Sequence, residues 1–270
     1  MESEIVYLMY HELEIPGRLL CQPEPGYVRY ILTAANFRKQ MQSLKDANLR
    51  GVSVSEALTF PAKPSVAITF DDGCETDLLA AAPILKESGF GATFYVTSGV
   101  VGTRGYLSAP QLRELYGLGF EIGCHSMTHP YLPDLDDVRL HEEIVGAKKQ
   151  LEQMLGRPVE HFSCPGGRYD QRVKDVAREA GYRTVATSRI HANSKSTDPF
   201  ALGRVAVMRD TKPRIFLALC DGNRLWQLAI RDRLRHGAKR VLGNSFYDRL
   251  RATALRDHDT RPGGQKQESD

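Results

Sequence analysis

Apolar and polar residues follow two alternating periods along the first two hundred positions of the chain. Short β-branched and aromatic runs are followed by stretches whose apolar positions recur every three to four residues. The run Ile5–Met9 predicts a strand. Thr33 then opens a helix that places Phe37, Met41 and Leu44 on one side. Ser65–Phe70 reads as a buried strand, and Leu78–Ser88 as a helix stopped by Gly89. A strand at Ala92–Thr97 follows. Ser108-Ala109-Pro110-Gln111 has the form of a capping box with an early proline, which predicts a helix ending near Gly117. Phe120–Cys124 is the next strand, Asp137–Leu155 a long helix ended by Gly156, and His161–Cys164 a further strand. Gln171–Ala180 reads as a helix ended by Gly181, with strands expected at Arg183–Thr187 and Arg204–Met208.

One helix between successive strands is the pattern of βα units around a parallel sheet. Some six or seven such strands can close into a (β/α) barrel or stay open and doubly wound, and periodicity does not choose between them. No internal repeat interrupts the pattern. It divides the chain into an α/β unit over residues 1–210, an extension over 211–257 and a tail over 258–270 that is polar enough to predict disorder.

Composition narrows the class. With 41% hydrophobic residues and a net charge of only +3, most of the chain can fold around a core. No run approaches the ~20 apolar residues of a membrane-crossing helix. The opening Met1-Glu2-Ser3-Glu4 is acidic where a secretory signal is basic, so a cytoplasmic location is expected, with a peripheral position at the inner membrane face as a variant of it. Five cysteines without C-x-x-C spacing predict neither a disulfide framework nor a thiolate zinc site, and Cys74 and Cys164 read as packing residues.

The charge is unevenly placed. Residues 212–256 hold eleven Lys or Arg against three Asp or Glu, a balance of +8 that leaves −5 for the rest. Within Asn223–Arg240, Trp226, Ile230 and Leu234 recur every four residues among arginines, which predicts a basic amphipathic helix. It serves either as a cap on the barrel or as a contact with an anionic membrane surface. Nucleic acid is not expected, because aromatic residues are sparse in the patch.

Three polar clusters stand just after predicted strands: Thr69-Phe70-Asp71-Asp72-Gly73, His125-Ser126-Met127-Thr128-His129 and Ser163-Cys164-Pro165-Gly166-Gly167. Strand C-terminal ends share one side of a parallel α/β unit, and catalytic groups collect there. His125 and His129 have a spacing that can hold one metal ion, or they are two surface histidines beside a loop. Asp71 and Asp72 follow a buried run, where two unpaired carboxylates would resist ionisation unless a cation sits between them. The bland alternative is a surface Asp-Asp-Gly turn.

The T-F-D-D-G and H-S-x-x-H stretches resemble the first two signature motifs of polysaccharide deacetylases with the NodB homology domain, carbohydrate esterase family 4. The resemblance covers roughly residues 5–208. It implies a distorted (β/α) barrel of about seven strands and a metal-dependent hydrolase that removes N-acetyl groups from a sugar or glycan intermediate. It implies Asp71 as catalytic base, with Asp72, His125 and His129 holding a divalent metal, most often zinc. The third cluster departs from the family pattern: Ser163 stands where an arginine orients the base, and Arg168 is the substitute in reach along the sequence. Pro165 and Gly166 would bring backbone near the substrate, with the Gly166 amide donating to an oxyanion. The late histidine of the family is missing from Arg204–Met208. Tyr10-His11 resembles the opening motif of a circularly permuted branch, which implies His11 as general acid ahead of His191 and places Tyr10 beside the substrate. The departures leave two other readings open: a catalytically silent carbohydrate-binding barrel, and a hydrolase of another amide or imide.

Overall fold

In the computed structural model, which describes residues 4–222, 225 and 227–230, the apolar runs pair as parallel strands. In chain order they are β1 (Val6–Tyr10), β2 (Arg50–Val52), β3 (Ser65–Phe70), β4 (Thr93–Val96), β5 (Glu121–Cys124), β6 (His161–Ser163), β7 (Thr184–Ala186) and β8 (Val205–Ala206). Across the sheet the order is β8-β1-β3-β4-β5-β6-β7, with β2 also paired to β3. One edge of β3 serves two partners: β2 takes Ser65–Ala67, and β4 takes Thr69 and Phe70. Beyond β7 the chain returns through Leu202, which bridges Ala186 before β8 settles on β1. The path is thereby curled into the distorted (β/α) barrel that the family resemblance implies.

β2 is a strand that periodicity misses, as are the short paired strands Leu13–Glu14 and Leu32–Thr33. A glycine in a three-residue run reads as loop, yet here it is what lets the strand form. A Cβ on Gly51 would stand 2.4 Å from the Ile68 Cδ1 and 2.9 Å from the Phe90 ring, so only glycine admits this approach.

Helices cover the sheet where the apolar stripes predict them. Helix α1 (Ala34–Asp46) is capped by the Thr33 hydroxyl, which accepts from the Asn36 N–H at 3.1 Å, and it buries Phe37, Met41 and Leu44. Helix α2 (Ala82–Ser88) continues a wider helical turn at Asp77–Ala81 and ends at Gly89, whose φ of 71° favours glycine. Helix α3 (Ala109–Gly117) begins with the expected capping box. The long helical stretch from Asp137 passes through wide turns at Glu142–Gly146 into α4 (Ala147–Leu155), and α5 is Gln171–Glu179.

Helix α6 (Pro213–Cys220) buries Phe216, Leu219 and Cys220 in the same core as β1, and Leu225 joins them. The packed unit therefore runs past residue 210. Most of the predicted basic amphipathic helix, and the tail after it, lie outside the described residues. Among the described residues no helix is long and apolar enough to cross a membrane.

Candidate active site

The strands of this sheet end at one rim, and the two histidine and carboxylate motifs begin there. Asp71 and Asp72 follow β3, and His125 follows β5. Three non-glycine residues take left-handed backbone at this rim: Asp72 at φ 83°, Ser126 at 65° and His129 at 62°. The last two belong to a tight turn in which Ser126 Oγ accepts from the His129 N–H at 3.0 Å. The buried Glu143 carboxylate fastens the same turn, accepting from the Met127 and Thr128 N–H groups at 2.9 Å each. Without these bonds the turn would relax toward ordinary φ, because left-handed conformations cost of order 1 kcal/mol or more for such residues.

The turn brings His125 and His129 to one carboxylate oxygen. Asp72 Oδ1 stands 3.6 Å from His125 Nε2 and 3.5 Å from His129 Nε2. Those gaps are too long for hydrogen bonds. They match the edges, about 3.4 Å, of a tetrahedron whose ligand bonds are ~2.1 Å. His125 Nδ1–H donates to the Ser163 carbonyl at 2.9 Å, which leaves its Nε2 lone pair facing Asp72. Burial pushes the His125 pKa down to about 4 against the opposing pull of Asp71, so the ring is neutral at neutral pH. Three donors of the right type with free lone pairs fit a divalent cation.

Asp71 lies beside this cluster, its Oδ2 3.9 Å from His125 Nε2. Its partner is Arg204, which binds both oxygens: Nη1 to Oδ1 at 2.7 Å and Nη2 to Oδ2 at 2.8 Å. Arg204 is fully buried and further held by the Thr187 carbonyl at 3.0 Å and Ser163 Oγ at 2.7 Å. Burial alone would raise the Asp71 pKa. The guanidinium and the neighbouring His125 overcome it and hold the carboxyl well below the usual carboxylate range. The two adjacent aspartates thus have different partners, an arginine for Asp71 and the histidines for Asp72.

The structure relocates two of the residues expected here. Arg168 does not reach the base; its guanidinium lies 3.6 Å from the centre of the Tyr131 ring. The arginine on Asp71 is Arg204, from the strand where a histidine was sought, and Ser163 joins the pair rather than leaving a gap. Tyr10 is turned inward. It stacks on Phe70 with ring centroids 5.3 Å apart and donates to Gln40 at 2.9 Å, because a strand buried on both faces gives its tyrosine to the core. His11 leaves β1 next to Asp71, whose N–H donates to the Tyr10 carbonyl at 3.0 Å. The His11 ring packs 5.1 Å from Tyr30 and 6.0 Å from Tyr27, and its buried Nδ1 has no hydrogen-bond partner. His191 shares a hydrogen bond with the Ala192 carbonyl and packs against Gly203. Pro165 is buried, and Gly166 takes φ 59°, where a Cβ would stand 3.0 Å from the Tyr131 ring.

One further member had no signal in the sequence. Tyr27 donates to Asp72 Oδ2 at 2.6 Å, and its own pKa is raised by burial and then by the Asp72 charge, so it stays a donor. The bond steers the other oxygen, Oδ1, toward the histidines. Tyr27→Phe is therefore expected to weaken metal affinity by about 10- to 100-fold, read by competition with a chromogenic chelator.

Residues 60–185 match the sequence profile described as polysaccharide deacetylase. YxkH of Bacillus subtilis (strain 168) is 29% identical over 211 residues, which take in 76% of this chain and 72% of that protein. The peptidoglycan-N-acetylglucosamine deacetylase of Bacillus cereus is 36% identical over 124 residues, covering 46% of this chain but only 56% of the relative's length. Among solved structures, the Streptococcus pyogenes deacetylase PplD in complex with acetate superposes with a TM-score of 0.73 at 25% identity. That superposition covers 82% of this chain and 99% of the other.

Proposed function

We propose, for a chain that belongs to the polysaccharide deacetylase family through residues 60–185, a metal-dependent hydrolase that removes N-acetyl groups from an N-acetylated sugar or glycan. The observation that carries the reading is the meeting of Asp72, His125 and His129 around one point, with an ionised Asp71 beside it. A divalent cation there, zinc in this reading, supplies Lewis-acid polarisation of a carbonyl and of water.

Asp71 is the general base. Its proton affinity is kept low by Arg204, so it is charged and ready at neutral pH, and it takes the proton of a water attacking the amide carbon. The negative charge that grows on the carbonyl oxygen accepts the Gly166 N–H, beside Pro165 on the third rim loop. His11, on the adjoining strand end, gives its proton to the leaving nitrogen as the C–N bond breaks. Water and amide become acetate and a free amine.

A zinc-loaded screen over N-acetylhexosamine conjugates tests it, with acetate and free amine measured together. Equal release of the two from at least one conjugate is the expected result. Saturable sugar binding with no acetate would mean a silent binder. Turnover of cyclic imides or small amides in place of the sugars would move the activity to another amide class.

A further inference from the structure

We propose that Glu12, Cys21 and Cys74, with Asp77 beside them, form a second divalent-cation site, a thiolate–carboxylate centre suited to zinc. It goes beyond the deacetylase reading and does not rest on it.

Each of Glu12, Cys21 and Cys74 offers one ligand atom, and the three lie within 4.8 Å of one another. Zinc bonds of about 2.0 Å to oxygen and 2.3 Å to sulfur place tetrahedral neighbours about 3.3–3.8 Å apart, so a small inward movement closes the set. The residues come from separate parts of the chain, and the backbone gathers them. The Glu12 carboxylate accepts the Cys21 N–H at 2.9 and 3.1 Å. Cys21 Sγ donates to the Gly105 carbonyl at 3.0 Å, and a Cβ on Gly105 would stand only 2.8 Å from that sulfur. Cys74, two residues after Asp72, pairs its backbone with Tyr106, and its sulfur lies within 4.8 Å of the Cys21 sulfur.

Asp77 supplies the second, independent observation. It is 0% exposed, and neither of its carboxylate oxygens has a hydrogen-bond partner. Its N–H donates to the Cys74 carbonyl at 3.0 Å, so it sits one turn past the cysteine, and Glu12 and Cys21 are both close enough to act on its charge. Burial and then the charges of Asp72, Cys21 and Glu12 push the Asp77 pKa well up, so without a cation its carboxyl is held neutral and a cation nearby would favour its ionised form. Arg18, which also acts on Glu12, is already paired with Glu75. A dication there would be held by three protein ligands, the Glu12 carboxylate and two thiols that lose their protons on coordination, with Asp77 as a buried neighbour outside the set. Such a centre would pin the loop holding Cys21 against the strand end that carries Asp72. Long separation along the chain explains why no C-x-x-C spacing announces it.

The test uses the full chain, reduced, stripped with chelator and titrated with cobalt(II) under near-ultraviolet and visible absorption. Two equivalents are expected, one of them bringing a thiolate-to-cobalt charge-transfer band. Cys21→Ser and Cys74→Ser should each lose that band and one equivalent, while His125→Ala keeps the band and loses the other equivalent. Asp77→Asn, which conserves shape, should weaken the band-forming equivalent at least about tenfold. A single equivalent without a thiolate band in the wild-type chain overturns the proposal, as does a band that survives both serine variants. Loss of two titratable thiols on mild oxidation with no metal uptake overturns it too, in favour of a disulfide. Failure of the deacetylase reading looks different: no acetate is released while the thiolate band remains.

Discussion

Asp71→Asn is expected to lower turnover about 10²- to 10⁴-fold while zinc content stays at the wild-type level. The two readouts separate because the substitution removes proton affinity and leaves the ligand set alone. Asp72, His125 and His129 remain aimed at one another, with Tyr27 and the Ser163 carbonyl still orienting them. Asparagine keeps an acceptor for one guanidinium nitrogen, so the fold should survive, and a thermal melt run beside the assay checks it. Wild-type turnover in this variant would remove Asp71 from the role of base. Loss of zinc together with activity would mean that Asp71 is a ligand and Asp72 is not sufficient.

Arg204→Met should be the most disruptive single change on the rim. It leaves a buried carboxylate facing apolar surroundings, a loss of about 3–5 kcal/mol measured by urea unfolding. Its pH dependence carries the sharper signature. In the wild-type protein the folded pKa of Asp71 lies below its unfolded value. Its contribution to stability is therefore fully present above the unfolded value, about pH 4, and is lost only as pH falls through the depressed folded value. Without the guanidinium, burial governs and the folded pKa moves above the unfolded one. The sign then reverses: stability is lost as pH rises through the unfolded value. The acid limb of kcat/KM should shift upward by at least one pH unit for the same reason, since the base now has to be deprotonated by the medium. A profile that does not move would mean that Arg204 is structural only. Arg204→Lys, which restores charge without the two-pronged contact, should recover part of both effects.

The rim carboxylates and histidines are legible because each pair lies within five residues and each motif follows a strand whose apolar run ends where the motif begins. Ser65–Phe70 is predicted and observed with the same ends, and the helix stops at Gly89 and Gly156 fall where the left-handed backbone favours glycine. What escapes the sequence is contact across distance. Arg204 meets Asp71 from 133 residues away, and Tyr27 meets Asp72 from 45. Neither has local context that distinguishes it from any other arginine or tyrosine. Arg168 was the nearer candidate along the chain, but a left-handed turn at Gly166 and Gly167 sends it toward Tyr131 instead. Tyr10 illustrates the opposite failure. In a strand apolar on both sides the period of two carries no information about which side faces the rim, so its position beside His11 says nothing of its direction.

The left-handed residues at the rim bear on selectivity. Because Ser126 and His129 are already locked in an unfavourable backbone shape by Glu143 and the turn's own bonds, and Asp72 is held by Tyr27 and the Thr97 N–H, little freedom is left to surrender when an ion arrives. A cradle that cannot breathe suits ions whose radius and angular demands match it, and it discriminates against larger cations that tolerate loose, many-oxygen shells. Calcium should therefore be a poor competitor at this rim even in large excess.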